Sequence, residues 1–117
     1  MSILVVEDEA LIRMAMISEL EDEGFVVFEA ADADEAIAIL SANLSIGVMF
    51  TDIDMPGSMD GLRLSAAVRD RWPPIRIIVT SGYQMIDINT LPEDGVFLRK
   101  PYRAAHAVRL INKMALA

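Results

Sequence analysis

Four short apolar runs each end in polar residues. Ile3-Leu-Val-Val6 leads into Glu7-Asp8, residues 46–51 into Asp52, residues 75–79 into Thr80-Ser81, and residues 96–98 into Arg99-Lys100. Brief runs rich in β-branched residues predict buried strands. A fifth strand is predicted over residues 25–29. The stretches between the strands switch to helical periodicity. A helix is expected over residues 9–23, with Gly24 as its terminator. Arg13, Met16, Ile17 and Leu20 form one i, i+3, i+4, i+7 stripe assigned to the core. Leu11, Ile12 and Ala15 lie outside that stripe, so this helix is more apolar near its start than one buried face requires.

Asp32 or Asp34 can cap a second helix, with Ala36, Ile37 and Leu40 as its apolar face. Residues 43–47 are rich in turn formers. Asp60 can cap a third helix, patterned by Leu62, Leu64, Ala67 and Val68 and stopped by Trp72-Pro73-Pro74. A last helix is expected over residues 103–115, with Val108, Ile111 and Ala115 on one face. Residues 83–95, from Tyr83 to Gly95, are the least regular. Met85, Ile86, Ile88 and Leu91 are apolar, but Asn89, Thr90 and Pro92 interrupt them. Only a short or irregular helix is expected there.

Strands alternating with helices predict an α/β three-layer sandwich, a parallel sheet covered on both faces with right-handed crossovers. A chain of 117 residues suits one such domain, residues 1–117. Its 54% hydrophobic content is too high for a disordered chain. Ten Lys and Arg against 18 Asp and Glu give a formal charge of −8. That disfavours direct nucleic-acid binding and anionic membranes, which need a basic face. With no cysteine, disulfides, thiolate metal sites and cysteine nucleophiles are excluded. The chain opens directly into its first strand and does not look like a signal peptide. No apolar run approaches membrane-spanning length. A cytoplasmic location is the default expectation.

In a parallel sheet all carboxyl ends share one edge, so residues distant in sequence meet in one cleft. Glu7, Asp8 and Asp52 together would repel one another without a cation. A hard divalent ion, Mg²⁺ or alternatively Mn²⁺, accepts such oxygen ligands. Lys100 and Thr80 add donors for oxyanions. A carboxylate nucleophile, a metal, a lysine and a hydroxyl suit aspartyl-phosphate formation. Each element alone is ambiguous: acids start helices, and Asp52 alone reads equally as a turn acid. Specificity lies in the conjunction, in this order, at four strand ends.

These pieces resemble the receiver domains of two-component response regulators, including the chemotaxis receivers. The matching motifs are Leu4-Val-Val-Glu-Asp-Glu9, Thr51-Asp-Ile-Asp-Met-Pro-Gly57 with Asp60-Gly61, Ile78-Val-Thr-Ser-Gly82, and Phe97-Leu-Arg-Lys-Pro-Tyr102. The resemblance spans nearly the whole chain and implies a flavodoxin-like five-stranded sheet of order 2-1-3-4-5. It implies that Asp52 is the phosphoacceptor, attacking a phosphohistidine on a sensor histidine kinase or a histidine phosphotransfer protein. Asp8 and Asp52 would bind Mg²⁺ with the main-chain carbonyl of Asp54, and Glu7 would join directly or through water. Thr80 and Lys100 would contact the phosphoryl oxygens. The Lys100-Pro101 bond is expected to be cis, aiming Lys100 into the cleft. The domain would catalyse only its own phosphorylation and dephosphorylation, and would not act as an enzyme on an external substrate.

The resemblance also implies a switch. Phosphoryl oxygens would draw the Thr80 hydroxyl inward, and Phe97 would turn toward the vacated space. That would remodel the face the family builds from its fourth helix, fifth strand and fifth helix. Phe97 reads equally as an ordinary core aromatic. Asp54 and Gly82 occupy the variable positions two beyond Asp52 and two beyond Thr80, and are expected to tune aspartyl-phosphate lifetime. The surplus apolar residues Leu11, Ile12 and Ala15, with Pro101 and Tyr102, are expected to dock the phosphodonor. His106 is read as a surface or packing residue. No effector segment follows the last helix. Output is therefore expected through an unknown separate protein, as a phosphate sink, or within a hybrid kinase from which the sequence is a fragment. The oligomeric state stays open, a dimer included.

Three other readings compete. A small metal-dependent phosphohydrolase with an aspartyl nucleophile would also place an acid at Asp54, but 117 residues leave no room for a cap. A binding module that has lost phosphorylation would not keep the full acid set with Thr80 and Lys100. A flavin-binding relative would not place Glu7-Asp8 where phosphate must bind.

Overall fold

The computed structural model describes residues 2–82, 88–92 and 94–116. Five strands, β1 (Ser2–Val6), β2 (Val26–Ala30), β3 (Ile46–Asp52), β4 (Arg76–Ser81) and β5 (Val96–Arg99), form one sheet in the order β2-β1-β3-β4-β5. Every pairing is parallel. Four α-helices are found among the described residues: α1 (Ala10–Asp22), α2 (Ala33–Ala42), α3 (Gly61–Arg71) and α4 (Ala104–Leu116). The expected three-layer sandwich and strand order are therefore present.

Alternation along the strands divides the core in two. Leu4, Val6, Met49, Ile77 and Val79 face α2 and α3, where Leu40, Leu64 and Val68 meet them. Ile3, Val5, Val48, Phe50 and Ile78 face α1 and α4, where Met16, Leu20, Ala107 and Ile111 meet them. Leu40, Leu64 and Ile111 are fully buried, so truncating any of them to Ala costs about 2–5 kcal/mol.

Local chemistry sets the helix ends. Of the two candidate caps for α2, Asp32 is the one used: its Oδ1 accepts the Glu35 N–H at 2.9 Å. Asp60 caps α3 in the same way, accepting from the Arg63 N–H at 2.9 Å. Each cap contributes about 1 kcal/mol. Gly24, beyond the end of α1, has φ +91°, the left-handed conformation a helix terminator needs.

Two expectations need correction. Arg13 does not belong to the core stripe of α1. Its guanidinium turns to the edge of the sheet, and Met16 and Leu20 alone are the buried residues of the helix. An arginine fits a helical stripe by spacing, but its five donors must find acceptors, so it takes a polar position beside apolar neighbours. The strand boundaries also differ by a residue: β3 includes Asp52, β4 starts at Arg76 and includes Ser81, and β5 extends to Arg99. Of the irregular segment, residues 83–87 and 93 lie outside the described residues, and Ile88–Thr90 form a single 3₁₀ turn. The side chain of Ala115 is likewise outside them.

Candidate functional site

The strand ends converge as the parallel topology requires. Val6 pairs with Thr51 and Asp52 with Thr80, so the residues just past β1, at the end of β3 and at the end of β4 share one edge. Glu7 is 3% exposed and Asp52 is 2% exposed, whereas Asp8 is open to solvent. Glu7, Asp8 and Asp52 each offer a carboxylate oxygen, and these oxygens lie within 4.8 Å of one another. Opposite corners of an Mg–O octahedron are about 4 Å apart, so a small contraction suffices to share one ion. The donor set is all oxygen and includes anionic groups, which suits a hard divalent cation.

Lys100 follows β5 and enters this cluster. Its Nζ donates to Asp52 Oδ2 at 3.1 Å and to Glu7 Oε1 at 3.1 Å. The Lys100–Pro101 peptide is cis, as expected. Asp52 Oδ1 accepts the Asp54 backbone N–H at 3.2 Å, and Glu7 Oε2 accepts the Glu9 N–H at 3.1 Å. The Thr80 hydroxyl is fully buried and has no hydrogen-bond partner among the described residues. A buried unpartnered hydroxyl costs about 1–3 kcal/mol, which a bound oxyanion beside Asp52 would recover.

Burial dominates the titration of this cluster. It pushes the Glu7 carboxyl up to about 7, with the Asp52 charge adding to the effect and the Glu9 N–H and Lys100 opposing it. It pushes Asp52 up as well, against Lys100 and the Asp54 N–H. For Lys100 burial works in the opposite sense, but hydrogen bonds to Asp52 and Glu7 outweigh it and raise the ammonium above its ordinary value. One ammonium thus serves two buried acids and leaves a net demand for positive charge.

Three positioning residues emerge only in the structure. Arg13 Nη1 donates to the Glu7 carbonyl at 2.6 Å while its Nε pairs with Glu29 Oε1 at 3.1 Å, tying α1 to the ends of β1 and β2. Ser81 Oγ donates to Asp54 Oδ2 at 2.7 Å, holding the loop after β3 to the end of β4. Gly61 packs directly on the backbone of Asp52, where a Cβ would meet the Asp52 carbonyl oxygen at 2.1 Å. Any side chain there would displace the acid. A glycine beside a capping aspartate was the one available signal. Arg13 and Ser81 left no trace in spacing or composition.

The other candidates separate. Leu11, 82% exposed, with Ile12, Ala15, Pro101 and Tyr102, lines a groove of about 620 Å³ that ends on Gly82 and Lys100. Tyr102 packs edge-on against Phe50, with ring centroids 5.6 Å apart. Burial, and secondarily the Glu7 charge, raises the Tyr102 hydroxyl to about 12. Phe97 is half-buried against the α2–α3 side of the core. His106 is exposed on α4, away from the acids.

An α/β sheet of order 2-1-3-4-5 with an acid cluster and a lysine at its carboxyl edge defines the class of the phosphoryl-accepting signalling domains. The chain belongs to the response regulator receiver domain family, whose profile matches residues 3–112. Sensor kinase CckA of Brucella abortus (strain 2308) is 32% identical over 117 residues, covering 97% of this chain and 12% of that protein. The C4-dicarboxylate transport transcriptional regulatory protein DctD of Rhizobium meliloti (strain 1021) is 36% identical over 111 residues, covering 92% of this chain and 24% of that protein. The chain thus spans a quarter or less of either relative. Among solved structures, the receiver domain of the hybrid histidine kinase CckA superposes with a TM-score of 0.83 at 30% identity, covering 97% of this chain and 98% of that one. A response regulator receiver protein from Sinorhizobium medicae WSM419 superposes with a TM-score of 0.91 at 26% identity, covering 99% of this chain and 94% of that one. The chain is therefore a receiver domain of two-component signalling. No described helix is long and apolar enough to cross a membrane.

Proposed function

We propose that Asp52 is the phosphoacceptor of this receiver and that residues 1–117 act as one phosphorylatable unit. The observation that carries this reading is the setting of Asp52. It is buried, bound by the Lys100 ammonium, and paired in register with Thr80, whose hydroxyl is unpartnered among the described residues. An Asp52 carboxylate oxygen attacks phosphorus, the P–N bond of a donor phosphohistidine breaks, and the leaving imidazole keeps the electron pair. Lys100 moves from carboxylate to phosphoryl oxygen, and Thr80 donates to another. Glu7, Asp8, Asp52 and the Asp54 carbonyl would hold Mg²⁺, which neutralises phosphoryl charge as it develops. Because the transferring group is metaphosphate-like, positioning and charge supply most of the rate.

The groove along Leu11, Ile12 and Ala15, with Pro101 and Tyr102, would seat the histidine-bearing donor, a sensor kinase or a phosphotransfer protein. Its continuity with Lys100 supports this, since a helix lying there would bring its histidine to Asp52. Asp54, held by Ser81, and Gly82, at the mouth of the cleft, would set the lifetime of the phosphorylated state. Thr80 and Phe97 would carry the change to an output partner. Similarity to a sensor kinase as well as to transcriptional regulators supports both an output role and a place within a relay.

Beryllofluoride, a stable phosphoryl mimic, tests the site without a donor. Binding should require Mg²⁺ and should raise the melting temperature of the parent protein while leaving the Asp52→Asn variant unmoved. Equal stabilisation of the two would remove Asp52 from the role.

A further inference from the structure

The positive charge of this acidic chain is segregated. Residues 95–117 hold five of the ten Lys and Arg and no Asp or Glu, while the preceding residues hold the other five and all 18 acids. The fold gathers most of that charge on one concave surface. Arg99, at the end of β5, and Arg103, His106 and Arg109, at and along α4, line a second groove of about 500 Å³ whose apolar wall is Leu98 and Tyr102. The four basic side chains are all exposed, and Lys113 continues their i, i+3, i+7 line along α4. Arg103 and Arg109 join no ion pair among the described residues. The groove lies on the far side of the Lys100–Tyr102 loop from the apolar groove of α1.

We propose that this groove is a docking site for an acidic segment of a partner protein, its carboxylates on Arg103 and Arg109 and one apolar side chain against Leu98 and Tyr102. Charge complementarity selects this occupant. A short acidic segment keeps its charge within the cationic surface. A long polyanion such as a nucleic acid would run off it onto a surface carrying 18 acids. A second copy offers acid only on other faces, so the contact would be heterologous and would not close into a dimer. A volume of this size holds a few side chains, not a whole domain. The proposal goes beyond the phosphoacceptor reading and stands whether or not Asp52 is phosphorylated.

The test is a titration of the isotopically labelled full chain with a synthetic peptide of alternating Glu and Leu, followed by amide NMR, with a Gln-for-Glu peptide as control. Saturable shifts should cluster at residues 98–109 for the Glu peptide and be absent for the Gln peptide. The double variant Arg103→Glu/Arg109→Glu should bind about tenfold more weakly. Both positions are exposed, and the variant should still accept phosphate from acetyl phosphate, which shows that it is folded. Equal binding of the two peptides, or shifts elsewhere, overturns the proposal. So does tighter binding of a DNA duplex at the same salt to these amides, which would make the groove a nucleic-acid site. Concentration-dependent shifts there without peptide would assign it to self-association and overturn it equally.

Discussion

The cleft at Asp52 and the groove on α1 adjoin, and they invert the usual distribution of side chains. The cleft buries its charges: Glu7, Asp52 and the Thr80 hydroxyl are almost wholly removed from solvent. The groove exposes its hydrocarbons, with Leu11 82% and Met14 61% open to solvent. Burial makes the cleft expensive, since its acids are pushed toward protonation and its hydroxyl lacks a partner. Exposure makes the groove unsatisfied in the opposite way. One region is built to react with a phosphoryl group and the other to recognise the protein that brings it. Lys100 and Tyr102 lie at their border.

That division is open to direct disruption. Lys100→Ala removes the only ammonium bound to Asp52 among the described residues, so phosphorylation should slow by roughly 10²–10³-fold with a protein donor and with acetyl phosphate alike. Loss with the protein donor alone would move Lys100 from chemistry to recognition. Arg13→Ala frees the Glu7 carbonyl and should weaken Mg²⁺ binding about tenfold by calorimetric titration, since groups that orient metal ligands matter nearly as much as the ligands. An unchanged affinity would make Arg13 a mere tether between helix and sheet. Leu11→Asp should slow transfer from the donor protein about tenfold and spare acetyl phosphate labelling. Equal loss with both donors would sink the docking role.

The smallest effect concerns pH. The Glu7 carboxyl titrates near 4.5 when unfolded and near 7 in the folded, metal-free protein, so between those values the folded state binds more protons. Stability contributed by Glu7 is therefore full below about pH 4.5 and is lost as pH rises through 7, and Asp52 acts in the same direction. Glu7→Gln should flatten the fall in melting temperature across that window, and Mg²⁺ should help the parent more at pH 8 than at pH 5. A steeper fall in the variant would contradict the burial argument.

Most of the cleft was readable because a buried strand is an uninterrupted apolar run, and the first polar residues past it mark the edge where chemistry collects. Glu7, Asp8, Asp52, Thr80 and Lys100 all announced themselves in that way. Arg13 and Ser81 did not, because their roles are contacts across 6 and 27 residues that no local pattern encodes. Arg13 was misassigned to the core because periodicity reports which face a residue occupies and not what its side chain does there. Residues 83–95 mix apolar side chains with Asn89, Thr90 and Pro92, so no period dominated, and the described part holds only a 3₁₀ turn. The basic groove was hidden by the overall charge of −8, which averages an acidic body with a basic end.

The central claim is that Asp52 stores the phosphoryl group. It is tested most directly by incubating the protein with acetyl phosphate and locating the modification by borohydride reduction and peptide mass spectrometry. A single phosphoryl group should appear at Asp52, depend on Mg²⁺, and be absent from the Asp52→Asn variant. Labelling of that variant to the level of the parent would contradict the assignment.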